Sequence, residues 1–546
     1  MTRRRGLALA AIVALAVVVR FWGLGFGLPY TQARPDETIV IGVVLNFLHG
    51  HFAVEFYDYP WLYMWVLTIV YLAYFAWGVA TGMFHSIADL TASWPVHWAP
   101  FFLLSRALSA SLGTATVAVV FFVGRRLWDE TTGLVAALFL SLAFLHVRDS
   151  HFGTTDIAMT FLLMVAIALL VEAHWRDPTS VRSSFTSSFT SAGVAAGLAT
   201  ATKYPAGLLV VPALVSAIVG RFESSVGARR RDHRLVRFGL GFGLALLVGV
   251  PFVLFDTHRF LQGIDLLKQS TIGGQGLVPI ESGWIRHLRL SLRYGVGLPM
   301  LVAGIAGMVT ILVRTPAVGA VLFAFPLTYY AVAAGMRNVF FRYAIPVVPF
   351  LCLAAASLTC LVAARLVAAW PGRLSTRWSV AAPWLLAAAV VAPSAVSVYK
   401  FDRIIARTDN RVVVARWFEQ HVPAGSSVLQ SGSQYGLAQL DPRLDYREWT
   451  WNKSRSVFMV NDRPATGRPD WILVQESPLP STTQPIVTEM LRQDYSFVQT
   501  FVALSLDGDH VFDPQDAFFV PLAGFEGVER PGPNFAVYKR AGAAVR

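Results

Sequence analysis

A group of charged residues follows the first apolar run of the chain, in the stretch "YTQARPDETIV" that covers Tyr30–Val40. Arg34, Asp36 and Glu37 stand together there, and Pro35 fixes the backbone ahead of the acidic pair. The next residues, "ETIVIGVVLNFLHG", predict a short helix that begins at this pair. The helix dipole stabilises carboxylates at such a position, so a structural role explains them as well as a general base does.

Two further loops carry acids. Asp58 stands before Pro60 in "YDYPW", where a loop acid is usually just solvated. Arg148 and Asp156 occur in "HVRDSHFGTTDIAMTFLL", and Asp156 begins the helix that follows, where capping is the structural alternative. Two loops therefore place a carboxylate at a helix start beside an arginine. This repetition favours a functional role for these acids over simple helix capping.

Cations form a third set. Lys203 lies in "ATKYPAG", and Arg337 and Arg342 lie in "GMRNVFFRYAIPVVPF". Such side chains can simply extend to lipid headgroups. They can also hold a lipid-linked phosphate, for which arginine offers paired donors. Acids and phosphate-binding cations together suit transfer from a lipid phosphate, with a carboxylate base and a cation or divalent metal on the leaving group.

Composition defines the elements that must position these residues. Of 546 residues, 55% are hydrophobic and only 14% charged, against about 25% charged in soluble domains. This indicates a polytopic membrane protein. The formal charge of +12 does not indicate nucleic-acid binding, because the basic residues lie in short loops between apolar segments. The start, "MTRRRGLALAAIVALAVVVRF", resembles a signal peptide but lacks a convincing cleavage site, which predicts an uncleaved first span.

Apolar segments of bilayer length predict about eleven spans. They lie at about 7–22, 100–123, 133–148, 157–174, 189–203, 205–220, 236–255, 297–313, 317–335, 344–369 and 380–398. The positive-inside rule places the N-terminus in the cytoplasm, along with the basic residues of the intervening loops: Arg125, Arg126, Arg176, Arg182, Arg221, Arg229, Arg230, Arg231, Arg234, Arg237, Arg314, Arg365, Arg373 and Arg377. The loops 23–99, 149–156, 256–296 and 336–343 then fall outside, as does everything after Ser397.

One apolar segment does not fit this arrangement. "WLYMWVLTIVYLAYFAWGVA", residues 61–80, is apolar enough to span, but a single crossing there would invert every later loop. We therefore expect it to lie in the interface, to re-enter, or to return through residues 81–99. Its Trp and Tyr content suits an interfacial site.

From about Phe401 the character of the sequence changes. "TDNRVVVARWFEQHV" predicts an amphipathic helix, and "SSVLQSG", "DWILVQE", "FVQTFVAL" and "NFAVYKR" predict strands separated by Pro- and Gly-rich turns. We therefore divide the chain into a membrane domain, 1–400, and a small extracytoplasmic α/β domain, 401–546.

The order of these features resembles a known family. An Asp-Glu pair follows the first span, and "LLSRALSASLGTATVAVVFFVGRRLWDETTGLVAALFLSLAFLHVRDSHFGTTDIAMTFLLMVAI", "TKYPAGLLVVP" and "FRYAIPVVPFLCLAAA" come later. Together they resemble the GT-C glycosyltransferases, specifically the family 39 group of protein O-mannosyltransferases and aminoarabinose transferases, over about residues 1–370. The C-terminal domain resembles the outer domains of many bacterial relatives. The expected fold is mostly α, a polytopic transmembrane helical GT-C fold with a small α/β domain.

The resemblance implies an enzyme of the cell envelope that uses a polyprenyl-phosphate-sugar donor and inverts the sugar in a single displacement. It implies catalytic roles for Asp36, its partner Glu37 and Asp156. It also implies donor-phosphate contacts from Arg148, Lys203 and Arg342. Protein, glycan and lipid acceptors are all left open.

A divalent metal ion is also left open. The resemblance aligns Asp58 with an acid that binds metal in some relatives, although the family usually has Pro-Pro where this chain has Tyr59-Pro60. The accompanying histidine is undetermined among His49, His51, His146 and His151.

Two other classes of protein compete with a transferase. A lipid-linked-sugar flippase predicts charges at mid-bilayer and inverted repeats, and the sequence shows neither. A non-catalytic assembly subunit would not need intact acids such as Asp36 and Asp156.

Overall fold

The computed structural model describes residues 3–52, 56–94, 96–175, 189–223, 233–269, 281–369, 376–452, 454–479 and 483–542. Six of the predicted cytoplasmic arginines lie outside these ranges: Arg176, Arg182, Arg229, Arg230, Arg231 and Arg373. The chain forms two compact units. The first is Met1–Trp22 with Ile39–Tyr399, and the second is Gly23–Thr38 with Lys400–Arg546. The segment that carries Asp36 thus belongs to the same compact unit as the C-terminal region.

The first unit is helical. Its helices, two of which continue into the second unit, are α1 (Arg3–Phe21), α2 (Pro35–Leu48), α3 (Leu62–Ala80), α4 (Ile87–Ala92), α5 (Ala99–Leu127), α6 (Glu130–Ser141), α7 (Phe144–Ser150), α8 (Thr155–His174), α9 (Phe189–Thr202), α10 (Val210–Glu223), α11 (Arg234–Gly249), α12 (Phe252–Phe255), α13 (Thr257–Lys268), α14 (Gly283–Arg286), α15 (Arg293–Val296), α16 (Leu298–Arg314), α17 (Pro316–Ala334), α18 (Val348–Ala368) and α19 (Thr376–Ile405). Short 3-10 segments, Tyr204–Leu209 and Phe341–Val347, lead into α10 and α18, and a π-helical turn, His287–Leu292, joins α14 to α15.

Within the described residues, six helical stretches are long and apolar enough to cross a membrane, and two bent pairs bring the number to eight. The polytopic helical fold is therefore confirmed. The predicted span 133–148 is broken into α6 and α7 with a bend of 58°. Residues 283–296, which lie in the predicted outer loop 256–296, are helical, and with α16 they form a second pair bent by 112°.

The segment at 61–80 forms one continuous helix, α3, of 19 residues with a mean hydropathy of 1.7. At 1.5 Å per residue it is about 28 Å long, close to the thickness of a bilayer core. Its length and composition therefore allow it to cross, although it was not among the eleven predicted spans. An interfacial position stays a prediction.

Small residues let the helices of this unit approach closely. Gly193 and Gly197 of α9 lie against backbone carbonyls of Phe238 and Phe242 in α11, so that a Cβ at either glycine would collide with the neighbouring backbone. Lipid tails are as apolar as the helix side chains, so burial from water does not drive membrane helices together. Close contacts at small residues hold them instead through van der Waals packing. The Ala- and Gly-rich composition of these spans thus has a packing role.

The second unit contains α20 (Asn410–His421), α21 (Pro485–Asp494) and a seven-stranded mixed sheet. Its strands are β1 (Ser427–Ser431), β2 (Arg447–Asn452), β3 (Val457–Val460), β4 (Arg463–Pro464), β5 (Trp471–Glu476), β6 (Tyr495–Phe501) and β7 (Asn534–Arg540). The spatial order is β4-β3-β2-β1-β5-β7-β6, with β1 parallel to β2 and β5 and the other pairs antiparallel. The predicted α/β character, the amphipathic helix and the four predicted strands are confirmed.

Helices cover both faces of this sheet. Val414 and Phe418 of α20 pack against Trp471 and Val537 in one buried cluster. A second cluster contains Val487 and Met490 of α21. Since neither helix could bury its apolar side alone, the sheet and its two helices form one hydrophobic unit.

Candidate active site

A buried ion pair joins two residues that are 47 positions apart in sequence. Asp156 lies in the first turn of α8, and Lys203 is an extended residue between α9 and the 3-10 segment. The Lys203 Nζ lies 2.6 Å from the Asp156 Oδ1, with side chains 11% and 5% exposed. Each charge is expensive to bury alone, so each depends on the other.

Aromatic rings surround the ammonium group of this pair. The Lys203 Nζ lies 5.3 Å from the centre of the Tyr59 ring and 5.6 Å from that of Tyr343. Both distances are suitable for cation–π attraction. The Tyr329 hydroxyl donates to the Tyr343 carbonyl at 2.9 Å and so fixes the segment that carries this ring.

Arg342 approaches the same ring. Its guanidinium carbon lies 5.9 Å from the centre of Tyr343 and 4.3 Å from that of Phe340, and the side chain is mostly buried. Two cations, Lys203 and Arg342, therefore flank one tyrosine ring. We call Lys203, Arg342, Tyr343 and Asp156 the cation cluster.

Arg148 has a different environment. Its Nη1 lies 2.9 Å from Asp149 Oδ2, and its guanidinium carbon lies 5.1 Å and 5.3 Å from the rings of Phe152 and Phe341. Both members of this pair are fully buried. Arg148 thus contacts Phe341, the neighbour of Arg342, and its phosphate-binding role stays a prediction.

Asp58, the acid that the resemblance aligns with a metal ligand, is exposed. It directly precedes Tyr59, whose ring centre lies 5.3 Å from the Lys203 Nζ. The described residues contain no group of three or more His, Cys, Asp and Glu side chains that could hold a metal ion. Of the candidate histidines, His151 has both ring nitrogens 3.0 Å from backbone carbonyls, and the His146 Nδ1 lies 3.1 Å from Arg20. His49 and His51 are exposed, with ring centres 6.3 Å apart.

The acidic pair Asp36–Glu37 belongs to the second unit. As predicted, α2 begins at Pro35 with both acids in its first turn. Glu37 is fully buried, whereas the Asp36 side chain is 28% exposed. Arg34, itself buried, has its Nη2 3.6 Å from Asp36 Oδ2, and its Nη1 forms an ion pair with Asp516. Asp36 is therefore the acid of this pair that a reactant could reach.

Tyr30 attaches this loop to the C-terminal fold. The Arg411 guanidinium carbon lies 4.2 Å from the centre of its ring, and the Tyr30 hydroxyl donates to the Tyr435 carbonyl at 3.0 Å. Burial raises the pKa of Tyr30, although the charge of Arg411 acts in the opposite direction. The phenol therefore stays protonated as a hydrogen-bond donor.

An apolar groove lies in the first unit beside the 3-10 segment that starts at Phe341. Its volume is about 520 Å³, and its lining includes Trp284, Leu288, Leu327, Tyr330 and Val347. Val347 ends the segment that carries Arg342. A 3-10 helix rises about 2 Å per residue, which places this groove within about 10 Å along the backbone from Arg342.

Sequence reasoning did not find Tyr59, Tyr343 or Asp516. It listed Asp156 and Lys203 separately and did not pair them. Nothing local in the sequence indicates these contacts, because each pair joins distant segments.

Comparisons with known proteins agree on one fold. Residues 103–254 match the sequence family described as "Dolichyl-phosphate-mannose-protein mannosyltransferase". Among solved structures, the chain is similar to ArnT from Cupriavidus metallidurans bound to undecaprenyl phosphate, with a TM-score of 0.51 and 15% identity over 98% of this chain and 99% of that one. It is also similar to the apo oligosaccharyltransferase of Archaeoglobus fulgidus, with a TM-score of 0.50 and 12% identity over 77% of this chain. No curated protein matches the sequence.

The chain therefore has the GT-C fold of membrane glycosyltransferases, as its sequence predicted, and the family 39 assignment stays a prediction. It spans 58% of the length of the archaeal oligosaccharyltransferase.

Proposed function

We propose that this protein transfers a sugar from a polyprenyl-phosphate-linked donor to an acceptor hydroxyl on the extracytoplasmic face of the membrane. The observation that carries the proposal is the cation cluster, in which Lys203 and Arg342 flank the Tyr343 ring beside an apolar groove. Buried cations suit a phosphate, and an adjoining apolar groove suits its isoprenoid chain. The undecaprenyl phosphate bound to the Cupriavidus ArnT supports this class of donor.

In this proposal Lys203 and Arg342 hold the donor phosphate. Asp156 keeps the ammonium group of Lys203 in place through their 2.6 Å contact, so it acts mainly on the orientation of that cation. Arg342 contributes a planar guanidinium group that can donate to two phosphate oxygens. Fixed cations stabilise the negative charge that grows on the phosphate as the glycosidic bond breaks.

Asp36 is the proposed base. Its partly exposed carboxylate accepts the proton of the acceptor hydroxyl while the hydroxyl oxygen attacks the anomeric carbon. The bond from that carbon to the phosphate oxygen breaks in the same step, the configuration inverts, and polyprenyl phosphate leaves as an anion. Glu37, which is buried beside Asp36, supports the loop conformation in this scheme.

A divalent metal is not assigned a step. Within the described residues, Asp58 and the candidate histidines do not form a three-ligand set, so none of them is assigned to such an ion.

The proposal is tested with purified protein in detergent and a polyprenyl-phosphate donor carrying a radiolabelled sugar. Donor-dependent release or transfer of the label is expected from the wild type. Asp36→Asn should retain donor binding and lose transfer. A protein that binds the donor and never cleaves it would contradict the proposal and favour a non-catalytic role.

The extracytoplasmic location is tested by cysteine labelling in a variant without Cys352 and Cys360. A reporter cysteine at Ser433, in the C-terminal unit, should react with an impermeant reagent in intact cells. Reaction only after the cytoplasmic side has been opened would contradict it.

A further inference from the structure

We propose that the C-terminal unit takes part directly in the transfer reaction, because Asp516 positions Asp36 through the guanidinium group of Arg34. The proposal rests on the function proposed above for Asp36. In this proposal Asp516 is a positioning residue for Asp36, which lies 480 residues away in the sequence.

Arg34 connects the two acids. Its side chain is 2% exposed, its Nη1 pairs with Asp516, and its Nη2 lies 3.6 Å from Asp36 Oδ2. The Asp516 side chain is 5% exposed, whereas Asp36 is 28% exposed. One guanidinium group thus contacts a buried carboxylate on one side and an accessible carboxylate on the other.

The segment that carries Asp516 is itself held in place. The Asp516 N–H donates to the Asp513 carbonyl at 3.1 Å, and two residues further on the Phe518 ring meets Phe26 edge-on at 5.7 Å. Phe26 belongs to the same loop as Arg34. The local turn thus fixes the backbone at Asp516, the ring contact joins this segment to the loop of Arg34, and Asp516 offers Arg34 a fixed anchor.

This arrangement has a consequence for the base. The planar guanidinium group presents Nη1 to Asp516 and Nη2 toward Asp36, so anchoring Arg34 on Asp516 sets the position of the charge that attracts Asp36 across 3.6 Å. A displacement of about 1 Å in a reacting group can cost roughly 100-fold in rate. Without Asp516, Arg34 would lose its anchor and Asp36 would no longer be held toward the acceptor.

The test compares Asp516→Asn with Asp441→Asn, a control in the same unit whose carboxylate pairs with the exposed Arg443 at 2.6 Å. Asp516→Asn should lower kcat about 10- to 100-fold and leave the donor KM within about twofold. Asp441→Asn should change neither, and Asp516→Glu should recover part of the lost kcat.

Exchanging the charges of Arg34 and Asp516 separates a role in positioning Asp36 from a role in stabilising the fold. The double variant Arg34→Asp with Asp516→Arg restores a buried pair but leaves no cation on residue 34 beside Asp36. We expect its Tm to recover relative to either single variant while kcat stays low. Arg34→Lys, which keeps a charge but has a single nitrogen in place of the two that face Asp516 and Asp36, should also fold with reduced kcat.

Normal kcat in Asp516→Asn, or full activity in the charge exchange, would overturn the positioning role. These results are distinguishable from failure of the proposed function, in which Asp36→Asn itself would keep normal transfer.

A second inference rests on a different surface of the same unit. The geometry points to a binding site for an acidic saccharide in a hollow of about 310 Å³ lined by Arg416, Trp417, Gln420, Thr408 and Arg530. Arg416 and Arg530 both line this hollow and give it two positive charges. Guanidinium groups bind carboxylates and phosphates through paired N–H donors, so the hollow suits an anionic ligand.

The other lining groups fit a sugar. Trp417 is fixed by stacking on His421, with ring centres 4.7 Å apart, and by an edge contact with Phe501 at 5.8 Å. A fixed indole gives a sugar ring an apolar surface, while Gln420 and Thr408 supply amide and hydroxyl groups for hydrogen bonds. The two arginines select a carboxylate or phosphate substituent.

Calorimetric titration of the full-length protein in detergent tests this site with three probes: trigalacturonic acid, the uncharged trisaccharide maltotriose, and inorganic phosphate. We expect trigalacturonic acid to bind more tightly than either of the others. Arg416→Gln and Arg530→Gln should each weaken it at least 10-fold, and Arg443→Gln, a change at an exposed arginine of the same unit, should not. Equal binding of both trisaccharides, binding of phosphate alone, or full binding by the arginine variants would overturn the inference.

Discussion

Replacing Lys203 by alanine tests the cation cluster through two separate quantities, the stability of the protein and its affinity for the donor. The change leaves the Asp156 carboxylate, whose side chain is 5% exposed, without its partner at 2.6 Å. Removing one member of a buried pair costs about 3–5 kcal/mol of stability. Losing one hydrogen bond to a charged donor phosphate should cost about 1.5–3 kcal/mol of binding, which is about 10- to 150-fold in Kd.

The double variant Lys203→Met with Asp156→Asn separates these two effects. It removes both buried charges, so we expect most of the lost stability to return, whereas donor affinity should stay low because the cation is still missing. Thermal unfolding and binding of a fluorescent polyprenyl-phosphate analogue measure the two quantities. Lys268→Ala is the matched control, since Lys268 forms an exposed Lys–Asp pair at 3.2 Å and should affect neither.

Two results would refute this reasoning. Unchanged donor affinity in Lys203→Ala would remove Lys203 from the phosphate site. Recovery of donor affinity in the double variant would mean that the pair only supports the fold.

Three further predictions concern the fold. Burial alone would raise the pKa of Asp470, but hydrogen bonds from the Ser427 N–H at 2.9 Å and Oγ at 2.7 Å lower it below its usual value. A lowered folded-state pKa stabilises the protein above the unfolded pKa of about 3.9, and this stability is lost as the pH falls through the folded value. Ser427→Ala should therefore flatten the decline of Tm on acidification below about pH 5, and an unchanged profile would exclude the contribution. Gly197→Val should lower Tm by forcing α9 away from the Phe242 carbonyl of α11, whereas Gly239→Val, with open space around its Cβ position, should have little effect; equal melting would contradict the close packing. A cysteine introduced in the 81–99 loop should be labelled from outside the cell, and labelling only from the cytoplasm would reverse the predicted sidedness.

Local patterns predicted much of the fold. The helix at Pro35 and strands such as Trp471–Glu476 were identifiable because their apolar spacing and flanking turns are local signals. The strand Arg447–Asn452 was not, since four of its six residues are polar or charged and a partly exposed strand lacks a continuous apolar run. The helix Pro485–Asp494 does carry a usable local signal, a proline at its first position.

The site was predictable only in its parts. Residue type and loop position selected Asp156 and Lys203, but their contact depends on how α8 and α9 pack. Asp516 carried no signal, because its partner Arg34 is 482 residues away and both sit in ordinary loop sequence. Such long-range pairs follow from tertiary structure alone.

The central claim is that Asp36 acts as a base in sugar transfer from a polyprenyl-phosphate donor. It is tested most directly by single-turnover transfer from a radiolabelled donor, comparing Asp36→Asn with the wild type at saturating donor. We expect the variant to bind donor normally and to lose transfer by at least about 100-fold, the lower range of general-base contributions. Wild-type transfer by Asp36→Asn would contradict it.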